Sequence, residues 1–492
     1  MRKILLGLFA VVLSLTVITS CKKLDLSPYN AVDLSTGFVT LQDAKYWNTG
    51  IYSAFRGRIY GGFVTPQEVQ SDQLNATLDF GNRNGAPHRW GTFFLTDDVA
   101  GIYSSYYSAL ANVNIVIEGY DKITVAAGAQ TDSLNTYKAD AYMARAFYHH
   151  QLVLRYAKAY NPATATTDLG VPVITKYDVL LKPSRATMKA VYDQIISDIN
   201  FAKANNKRAN RRAERYFTPD AVLALEARVK LFMQDFAGAY TAANTVIASN
   251  RYPLYTTAAG VKSYWHTDAT QEDIMRINAT LAEGVNTNAI YQGLVGVAGY
   301  FQPDFVPTQG FINSYDNADF RKSVYFDPKL VQIQGVQYPN ILLVNKFPGN
   351  PAFFTTQYTN YVHSPKVFRV AELYLIAAEA ALGVPNEANA LTAINALRTS
   401  RGLGLFVGNG TALRDEIRAE RTRELAFEGY RIWDLKRWNL GLTRGTPQNT
   451  AFIQNGTGFS GLVVPAGDNK FTWGFPTNDL ILNPNIVQNP GW

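Results

Sequence analysis

The sequence is poor in the residue types on which disulfides, metal sites and charged surfaces depend. It has a single cysteine in 492 residues, so it cannot form an intramolecular disulfide. Its five histidines show no metal-ligand spacing with an acidic partner. Charged residues make up 17% of the chain, and the net charge of +7 is not gathered into the basic face of a nucleic-acid-binding protein. The densest basic run, Lys207 to Arg215, is better explained as a solvated loop between helices.

Motifs of catalysis are missing as well. The chain contains no nucleophile elbow and no phosphate-binding loop. The segment from Gly456 to Gly461 has the glycine spacing of a dinucleotide-binding turn, but no predicted strand precedes it and no predicted helix follows it, which indicates an ordinary loop. We therefore expect a protein that is not an enzyme and uses no cofactor, and we leave a structural calcium ion open.

The N-terminus holds the long apolar run of the chain. Two basic residues precede an apolar stretch over 4–18, the pattern of a secretory signal. Cys21 follows it, and the segment from Ile18 to Cys21 resembles a bacterial lipobox, where the thiol is acylated by a lipid such as palmitate. The alternative is an ordinary signal peptide with a chance cysteine. We predict a lipoprotein signal peptide over 1–20 and lipid anchoring at Cys21, with no membrane-spanning helix in the body.

Helical periodicity dominates the body. The first four predicted helices cover 41–55, 102–120, 134–156 and 187–203. Thr218 and Pro219 then mark the start of another helix as an N-cap and a first-turn proline. The windows 218–251 and 367–400 each place two predicted helices within 34 residues, the length and the helix–turn–helix form of a tetratricopeptide repeat. The sequence therefore predicts a mostly α fold with a tetratricopeptide-repeat-like helical scaffold.

Two long segments interrupt the helical pattern. Residues 58–97 and 255–365 are rich in glycine, asparagine and aromatic residues, with short strands expected in places such as 274–277. Loops of this length are usually functional or disordered, and the aromatic content argues against disorder. We divide the body at 21–492 into an N-terminal helical repeat part (about 30–255), a ligand-loop insertion (about 255–365) and a C-terminal part (about 366–492).

The C-terminal part contains an unusually charged helix. A helix begun at Leu413 and Ile417 brings Glu420, Arg421 and Glu424 onto its buried stripe, where unpaired charges are costly. The two glutamates could form an acid/base pair, but they lie on one helix face and flank no cleft. A structural ion-pair network is the favoured interpretation. The available partners are Arg421, Arg431, Asp434 and Arg437.

The same segment carries a recognisable motif. The run Glu-Leu-Ala-Phe-Glu-Gly-Tyr-Arg from Glu424 to Arg431, with Asp-Leu-Lys-Arg-Trp ending at Trp438, resembles the signature of the SusD/RagB family. Members are outer-membrane nutrient-binding lipoproteins of Bacteroidota. The segments 369–380 and 394–398 and the ending at Trp492 also agree with the family pattern.

The resemblance implies a function in nutrient uptake. It implies a helical scaffold whose insertions build a ligand surface, and docking of that scaffold over a SusC-type TonB-dependent transporter. The ligand would be an oligosaccharide, or in some cases a peptide, and the protein would sit lipid-anchored at the outer membrane facing the cell exterior. Surface-exposed members often have acidic residues after the cysteine, whereas this chain has Lys22 and Lys23, which puts exposure in question.

Aromatic residues in the insertions are the candidate ligand contacts. Sugar rings have apolar faces that flat side chains cover and polar rims that amides can bond. The expected ligand-binding residues are Trp90, Trp265, Tyr300 and Phe301, with Asn75 and Gln302 as polar partners. In a chain with 13% aromatic residues, each aromatic can equally be part of the core.

Three functions remain open, and each predicts a different surface. A glycan-binding protein should expose at least two planar aromatic rings in one shallow patch. A peptide-binding protein should have an enclosed cavity or an exposed strand edge. A lid that binds no ligand should have no defined aromatic patch.

Overall fold

The structure, a computed structural model, describes residues 36–91, 97–282, 289–296 and 298–492. Cys21 and the predicted signal peptide lie outside the described residues. None of the described helices is both long and apolar enough for a bilayer crossing.

The α-helices in this part of the chain are α1 (Leu41–Arg56), α2 (Thr65–Gln70), α3 (Gly85–His88), α4 (Asp97–Tyr120), α5 (Ala129–Tyr156), α6 (Met188–Asn205), α7 (Pro219–Phe232), α8 (Phe236–Ala248), α9 (Ala258–His266), α10 (Ala289–Gln292), α11 (Gln309–Asn313), α12 (Phe320–Tyr325), α13 (Val370–Gly383), α14 (Glu387–Ser400), α15 (Gly410–Glu424), α16 (Arg431–Arg437) and α17 (Thr477–Leu482).

The strands form small sheets beside the helices. Strand β1 pairs with β5, β2 with β8 and β9 with β10, all antiparallel, and a four-stranded sheet has the order β3-β4-β6-β7. The strands are β1 (Leu74–Ala76), β2 (Asp273–Arg276), β3 (Leu294–Val295), β4 (Tyr300–Phe301), β5 (Phe305–Pro307), β6 (Phe326–Ile333), β7 (Val336–Val344), β8 (Lys366–Arg369), β9 (Leu442–Thr443) and β10 (Val463–Val464).

A continuous stack of helices forms the scaffold. Each helix from α4 to α7 packs against the next one in the chain, and α1 packs on α5. Helix α13 continues the stack on α8, followed by α14 and α15. The chain therefore leaves the stack after α8 and returns to it at α13. The predicted mostly α, tetratricopeptide-repeat-like scaffold is confirmed, and the two 34-residue windows correspond to the neighbouring helix pairs α7–α8 and α13–α14.

Local sequence signals explain where the stacked helices begin. The Thr187 side chain accepts a hydrogen bond from the Ala190 amide at 3.2 Å and caps α6. Thr218 caps α7 in the same way, and Pro219 is its first residue, as predicted. One apolar face of α6 is fully buried, and its burial stabilises the packing of the helix. Its members are Val191, Ile195, Ile199 and Ala202.

The structure corrects the sequence-based boundaries in two places. Helices α4 and α5 begin at Asp97 and Ala129, five residues before the predicted starts at 102 and 134 in each case. Residues 367–369 belong to β8 rather than to the predicted helix, because they pair with β2 before α13 starts at Val370. Periodicity alone does not distinguish a short buried strand from the first turn of a helix.

The two interrupting segments are more regular than expected. Residues 58–97 contain α2, α3 and β1, and β1 pairs with β5 from the other segment. Residues 255–365 contain the long hairpin of β6 and β7, joined by Gln334 and Gly335, which both have positive φ. Two left-handed residues are what a two-residue hairpin turn of type I′ requires. The segments therefore pack on each other beside the helical stack.

A buried charge network joins α15, the charged helix of the C-terminal part, to the rest of the protein. Six cations and six carboxylates are linked by ion pairs that run through α12, α15, β8 and the end of α14. We call this set the buried charge network. Its members are Arg321, Lys346, Arg369, Arg398, Arg401, Arg423, Glu272, Asp319, Glu416, Glu420, Glu424 and Glu428.

Glu424 lies at the centre of this network. Its carboxylate oxygens lie 2.8 Å from Arg321 Nη1 and 3.0 Å from Arg401 Nη2, and Arg369 Nη1 also contacts it. Burial raises its pKa, but these three guanidinium groups outweigh burial and hold the pKa well below its usual range. The predicted ion-pair interpretation agrees with this arrangement.

Of the predicted partners for this stripe, Asp434 does pair with Arg421, but the expected arginine partners of the two glutamates were wrong. Arg421 and Arg437 bind Asp434, and Arg431 binds Asp72, so none of them reaches Glu420 or Glu424. The actual partners come from elements distant in the sequence and from the next turn of α15. Burial raises the pKa of Glu420, but Arg321 and Arg423 outweigh this effect and bring it to about 2.

Candidate functional site: an aromatic cavity

A half-open cavity lies where the helical stack meets the two interrupting segments and the C-terminal motif. Its volume is about 130 Å³. Nine aromatic side chains contribute to its walls, four of them half-buried and five almost fully buried. They are Tyr60, Phe63, Phe147, Trp265, Tyr291, Phe347, Phe427, Tyr430 and Trp433.

The loop after α1 forms one wall. Gly57 ends α1, and Gly61 has a φ of +56°, which turns the chain so that Tyr60 and Phe63 line the cavity. Gln67 Nε2 and Arg155 Nη2 both donate to the Phe63 carbonyl oxygen, at 2.7 and 2.6 Å. This double anchor holds the loop against α5.

The C-terminal motif forms a second wall. Gly429 has a φ of +86°, a left-handed conformation that favours glycine, and it separates Phe427 from Tyr430 at the turn between α15 and α16. The Arg228 guanidinium stacks 5.4 Å from the Tyr430 ring centroid and is held by a bidentate pair with Glu372, with both bonds at 2.7 Å. The family-like signature therefore contributes directly to the cavity as well as to the scaffold.

Trp265 is the one predicted ligand residue that lies at the cavity. It lies in the last turn of α9, and its side chain is only 3% exposed. Lys346 Nζ lies 4.3 Å and Lys366 Nζ 5.2 Å from its ring centroid. Aromatic faces attract cations in this way, so part of its π surface is already occupied by the protein.

The structure places Trp90 and Asn75 in the interior, which corrects the expectation that they face a ligand. Trp90 is 5% exposed, donates from Nε1 to the Gln70 carbonyl at 2.8 Å, and packs edge-on against Phe471. Asn75 is buried in β1 and donates to the Gly445 carbonyl. Neither side chain has an open face for a sugar.

The remaining three candidates lie together but away from the cavity. Tyr300 and Phe301 form β4, and both are half-buried in the four-stranded sheet. Gln302 follows them and is exposed. Lys329 Nζ lies 5.3 Å from the Phe301 ring centroid. The six predicted residues therefore do not form one patch, and a ligand role for these three stays a prediction.

Several cavity residues were not among the predicted ones. Tyr60 comes from a glycine-aromatic run of the first interrupting segment, Tyr291 from the second and Tyr430 from the C-terminal motif. Each of these segments was singled out in the sequence, but nothing there indicates that they meet. Gln67 and Gln151 add amide groups to the aromatic walls.

Within the described ranges, no group of three or more His, Cys, Asp or Glu side chains is arranged to hold a metal ion. The cavity walls offer aromatic faces, amides and guanidinium groups. That combination suits the binding of a small polar ligand.

The fold and the cavity together define a binding protein built on a helical-repeat scaffold. The comparisons show that the chain is similar to the SusD family in two separate stretches. The model described as SusD family matches residues 338–492, and the model described as "Starch-binding associating with outer membrane" matches residues 46–231. These matches lie in both halves of the chain.

Similar proteins cover nearly the whole chain. SusD-like protein P38 from Formosa agariphila is 27% identical over 98% of this chain and 97% of its own, and SusD-like protein P2 from the same organism is 25% identical over 98% of each. A SusD superfamily protein from Bacteroides thetaiotaomicron has a TM-score of 0.79 at 24% identity, covering 92% of this chain and 100% of that one. A putative sugar binding protein from Bacteroides vulgatus has a TM-score of 0.74 at 23% identity, covering 93% and 100%. The likeness to the two solved structures shows the shared fold.

Proposed function

We propose that the protein is a lipoprotein, anchored through Cys21 at the outer membrane and facing the cell exterior, that captures an oligosaccharide and delivers it to a SusC-type TonB-dependent transporter. The match of residues 46–231 to the model described as "Starch-binding associating with outer membrane" supports the outer-membrane association. The observation that carries the ligand class is the half-open cavity with nine aromatic side chains in its walls.

The size of the cavity limits what enters it. An apolar cavity of about 150 Å³ holds one benzene molecule, so a volume of about 130 Å³ admits about one six-membered ring. Because the cavity is half-open, the remaining units of an oligosaccharide can stay outside. The cavity therefore suits a terminal or branching sugar unit, with ring faces against aromatic walls and hydroxyls on the amides.

Peptide capture on the same scaffold is the alternative, and the strand edges disfavour it. A peptide that extends a sheet needs unpaired backbone groups at an edge. Strand β7 is the edge of the four-stranded sheet, and Gln448 bonds both the amide and the carbonyl of Leu342 there, at 3.0 and 2.9 Å. At the opposite edge, the Leu294 amide donates to the Tyr361 hydroxyl.

Tyr60→Ala should weaken binding of the captured oligosaccharide. Loss of one stacked ring removes roughly 1–1.5 kcal/mol, or about tenfold in Kd. Isothermal titration of the detergent-purified full-length protein against plant, host and fungal glycans would identify a ligand and then measure the variant. Tyr46→Ala is the matched control, because Tyr46 is exposed on α1 and does not line the cavity. Equal loss in both variants, or binding to peptide mixtures with silence across the glycans, would count against the proposal.

Cys21→Ala should release the protein from the outer membrane. Without the thiol no acyl chain can be attached, and the described part of the chain has no helix that could span the bilayer. Labelled palmitate incorporation and membrane fractionation measure this. The double variant Cys21→Ala/Ser27→Cys is the control, since a thiol moved away from the lipobox-like segment should not restore labelling. Retention of Cys21→Ala in the membrane fraction would contradict lipid anchoring.

A further inference from the structure

Most of the charged side chains that line the cavity are paired with a group of opposite charge. Arg228 and Lys366 line the cavity and have carboxylate partners in Glu372 and Asp268, and Glu428 is paired with Lys346 and Arg369. The buried charge network behind them holds equal numbers of cations and carboxylates. These groups leave little net charge to act on a ligand.

Arg58 differs from the other charged residues of the cavity wall. Its Nη1 donates to the Ala54 carbonyl at 2.7 Å, and its Nε donates to the Ser105 carbonyl at 3.0 Å. Across the described ranges no carboxylate pairs with it, and its Nη2 makes no hydrogen bond to any residue in those ranges. A half-buried guanidinium that lines a cavity and keeps one edge unused is suited to receive an anion.

Two further basic side chains, Arg155 and Lys436, lie behind the same wall. Arg155 is almost fully buried and donates to Gln151 and to the Phe63 carbonyl, and both of these acceptor residues line the cavity. Lys436 Nζ donates to the carbonyls of Leu154 and Ala157. In the part of the chain that the structure covers, neither side chain has a carboxylate partner. Burial and the neighbouring Arg155 charge lower the pKa of Lys436 to about 7.

An unsatisfied acceptor lies beside this positive wall. The Gln67 side chain is 97% buried, being 3% exposed, and it lines the cavity. Its Nε2 is used on the Phe63 carbonyl, but its Oε1 has no hydrogen-bond partner among the described residues. A buried amide oxygen without a donor is costly, and a ligand hydroxyl would relieve that cost. The cavity thus offers an anion-binding edge and a hydroxyl-accepting oxygen within one ring-sized space.

We propose that the cavity takes an acidic sugar unit, with its carboxylate or sulfate group on Arg58 and a ring hydroxyl on Gln67. This inference rests on the proposed capture of an oligosaccharide and adds the class of sugar. The positive wall attracts an anionic group, and the low dielectric of a partly enclosed site strengthens that attraction. Neutral sugars would satisfy Gln67 and the aromatic walls but leave the Arg58 edge empty.

Pairs of glycans that differ only in charge test the proposal. Isothermal titration of the full-length protein would compare oligogalacturonate with its methyl ester, and a sulfated galactan oligosaccharide with its desulfated form. The acidic member of at least one pair should bind about tenfold or more tightly, because a charge-assisted hydrogen bond is worth that much, and the preference should shrink with added salt. Which pair shows the preference distinguishes a carboxylate ligand from a sulfate ligand.

Variants assign the preference to the cavity. Arg58→Gln should reduce the affinity for the acidic form to near that of the neutral form, and Arg58→Lys should retain part of the preference because the charge remains. Arg414→Gln removes an exposed arginine that does not line the cavity and should leave the preference intact. Thermal melting of all three variants checks that they fold.

The outcomes separate this inference from the function on which it rests. Equal binding of the acidic and neutral members would overturn the acidic-sugar assignment and leave oligosaccharide capture standing. A preference that persists in Arg58→Gln would also overturn it. Absence of binding by every glycan in both forms would overturn both proposals.

Discussion

Replacing Glu424 with alanine should lower the free energy of unfolding by about 3–5 kcal/mol, the usual cost of removing one partner of a buried ion pair. The carboxylate is fully buried and contacts the guanidinium groups of Arg321, Arg369 and Arg401. Its loss leaves the buried charge network with one uncompensated positive charge and no water to solvate it. Urea unfolding followed by tryptophan fluorescence measures the change.

Two further variants show whether charge or packing is responsible. Asp415→Asn removes a carboxylate from the same helix, but its pair with Arg414 is exposed, so the cost should stay below about 1 kcal/mol. Combining Glu424→Gln with Arg401→Met removes one charge of each sign. The double variant should therefore be less destabilised than the sum of the two single changes. Strict additivity, or a cost for Glu424→Ala as small as that for Asp415→Asn, would show that the network does not hold α15 in place.

The scaffold was predictable because it depends on local patterns. Thr187 and Thr218 each cap the helix that directly follows them in the sequence. The apolar face of α6 likewise lies within that single helix. The 34-residue spacing of α7–α8 and α13–α14 is also a local property of the chain. The β6–β7 hairpin was missed because its strands are interrupted by a register shift between Lys329 and Val331, which breaks the alternation of buried and exposed positions.

The site was harder to predict because it depends on contacts between distant segments. Trp90 looked like a ligand residue, but the carbonyl of Gln70 and the ring of Phe471 complete its surroundings. Tyr60 and Tyr430 are separated by most of the chain and meet only in the tertiary structure. A sequence shows which residue types are present in a segment, but it does not show which aromatic rings keep an open face once the segments pack.

The ion pairs of the C-terminal motif show both what the sequence predicts and what it does not predict. Charged residues on an otherwise buried helix face predicted a network, because burial without partners is too costly. The identities of the partners depended on β8 and α12, which no spacing within the motif reveals. The motif therefore serves two purposes at once: its charges lock α15 to the scaffold, and its Phe427–Tyr430 turn forms a wall of the cavity.

Glu68→Gln should stabilise the protein at alkaline pH and much less at acidic pH. Glu68 is almost fully buried, one carboxyl oxygen accepts from the Gly429 amide, and the other has no hydrogen-bond partner among the described residues. Burial raises its pKa from 4.5 to about 8, although the Gly429 amide and Lys346 oppose the rise. The pKa of Glu68 is therefore higher in the folded protein than in the unfolded one. This carboxyl contributes fully to stability at pH values below the unfolded pKa, and that contribution is lost as the pH rises towards 8.

The size of the effect follows from proton linkage. Between about pH 5 and about pH 8 the wild-type protein should lose up to about 1.4 kcal/mol per pH unit through this group, relative to the variant. Glutamine keeps the carbonyl oxygen for the Gly429 amide and cannot ionise, so the difference in unfolding free energy between the two proteins should widen steadily with pH. Asp273, another buried carboxyl, also titrates differently in the folded state, but its contribution is common to both proteins and cancels in that difference.

Urea unfolding at a series of pH values measures this difference, and Glu387→Gln provides its control. Glu387 is a matched glutamate because it is exposed at the start of α14, whereas Glu68 is buried. A difference between wild type and Glu68→Gln that stays flat with pH would show that Glu68 is already ionised in the folded protein. The turn at Gly429 would then have to bind a carboxylate, and the wall of the cavity next to it would carry a negative charge that works against an acidic ligand.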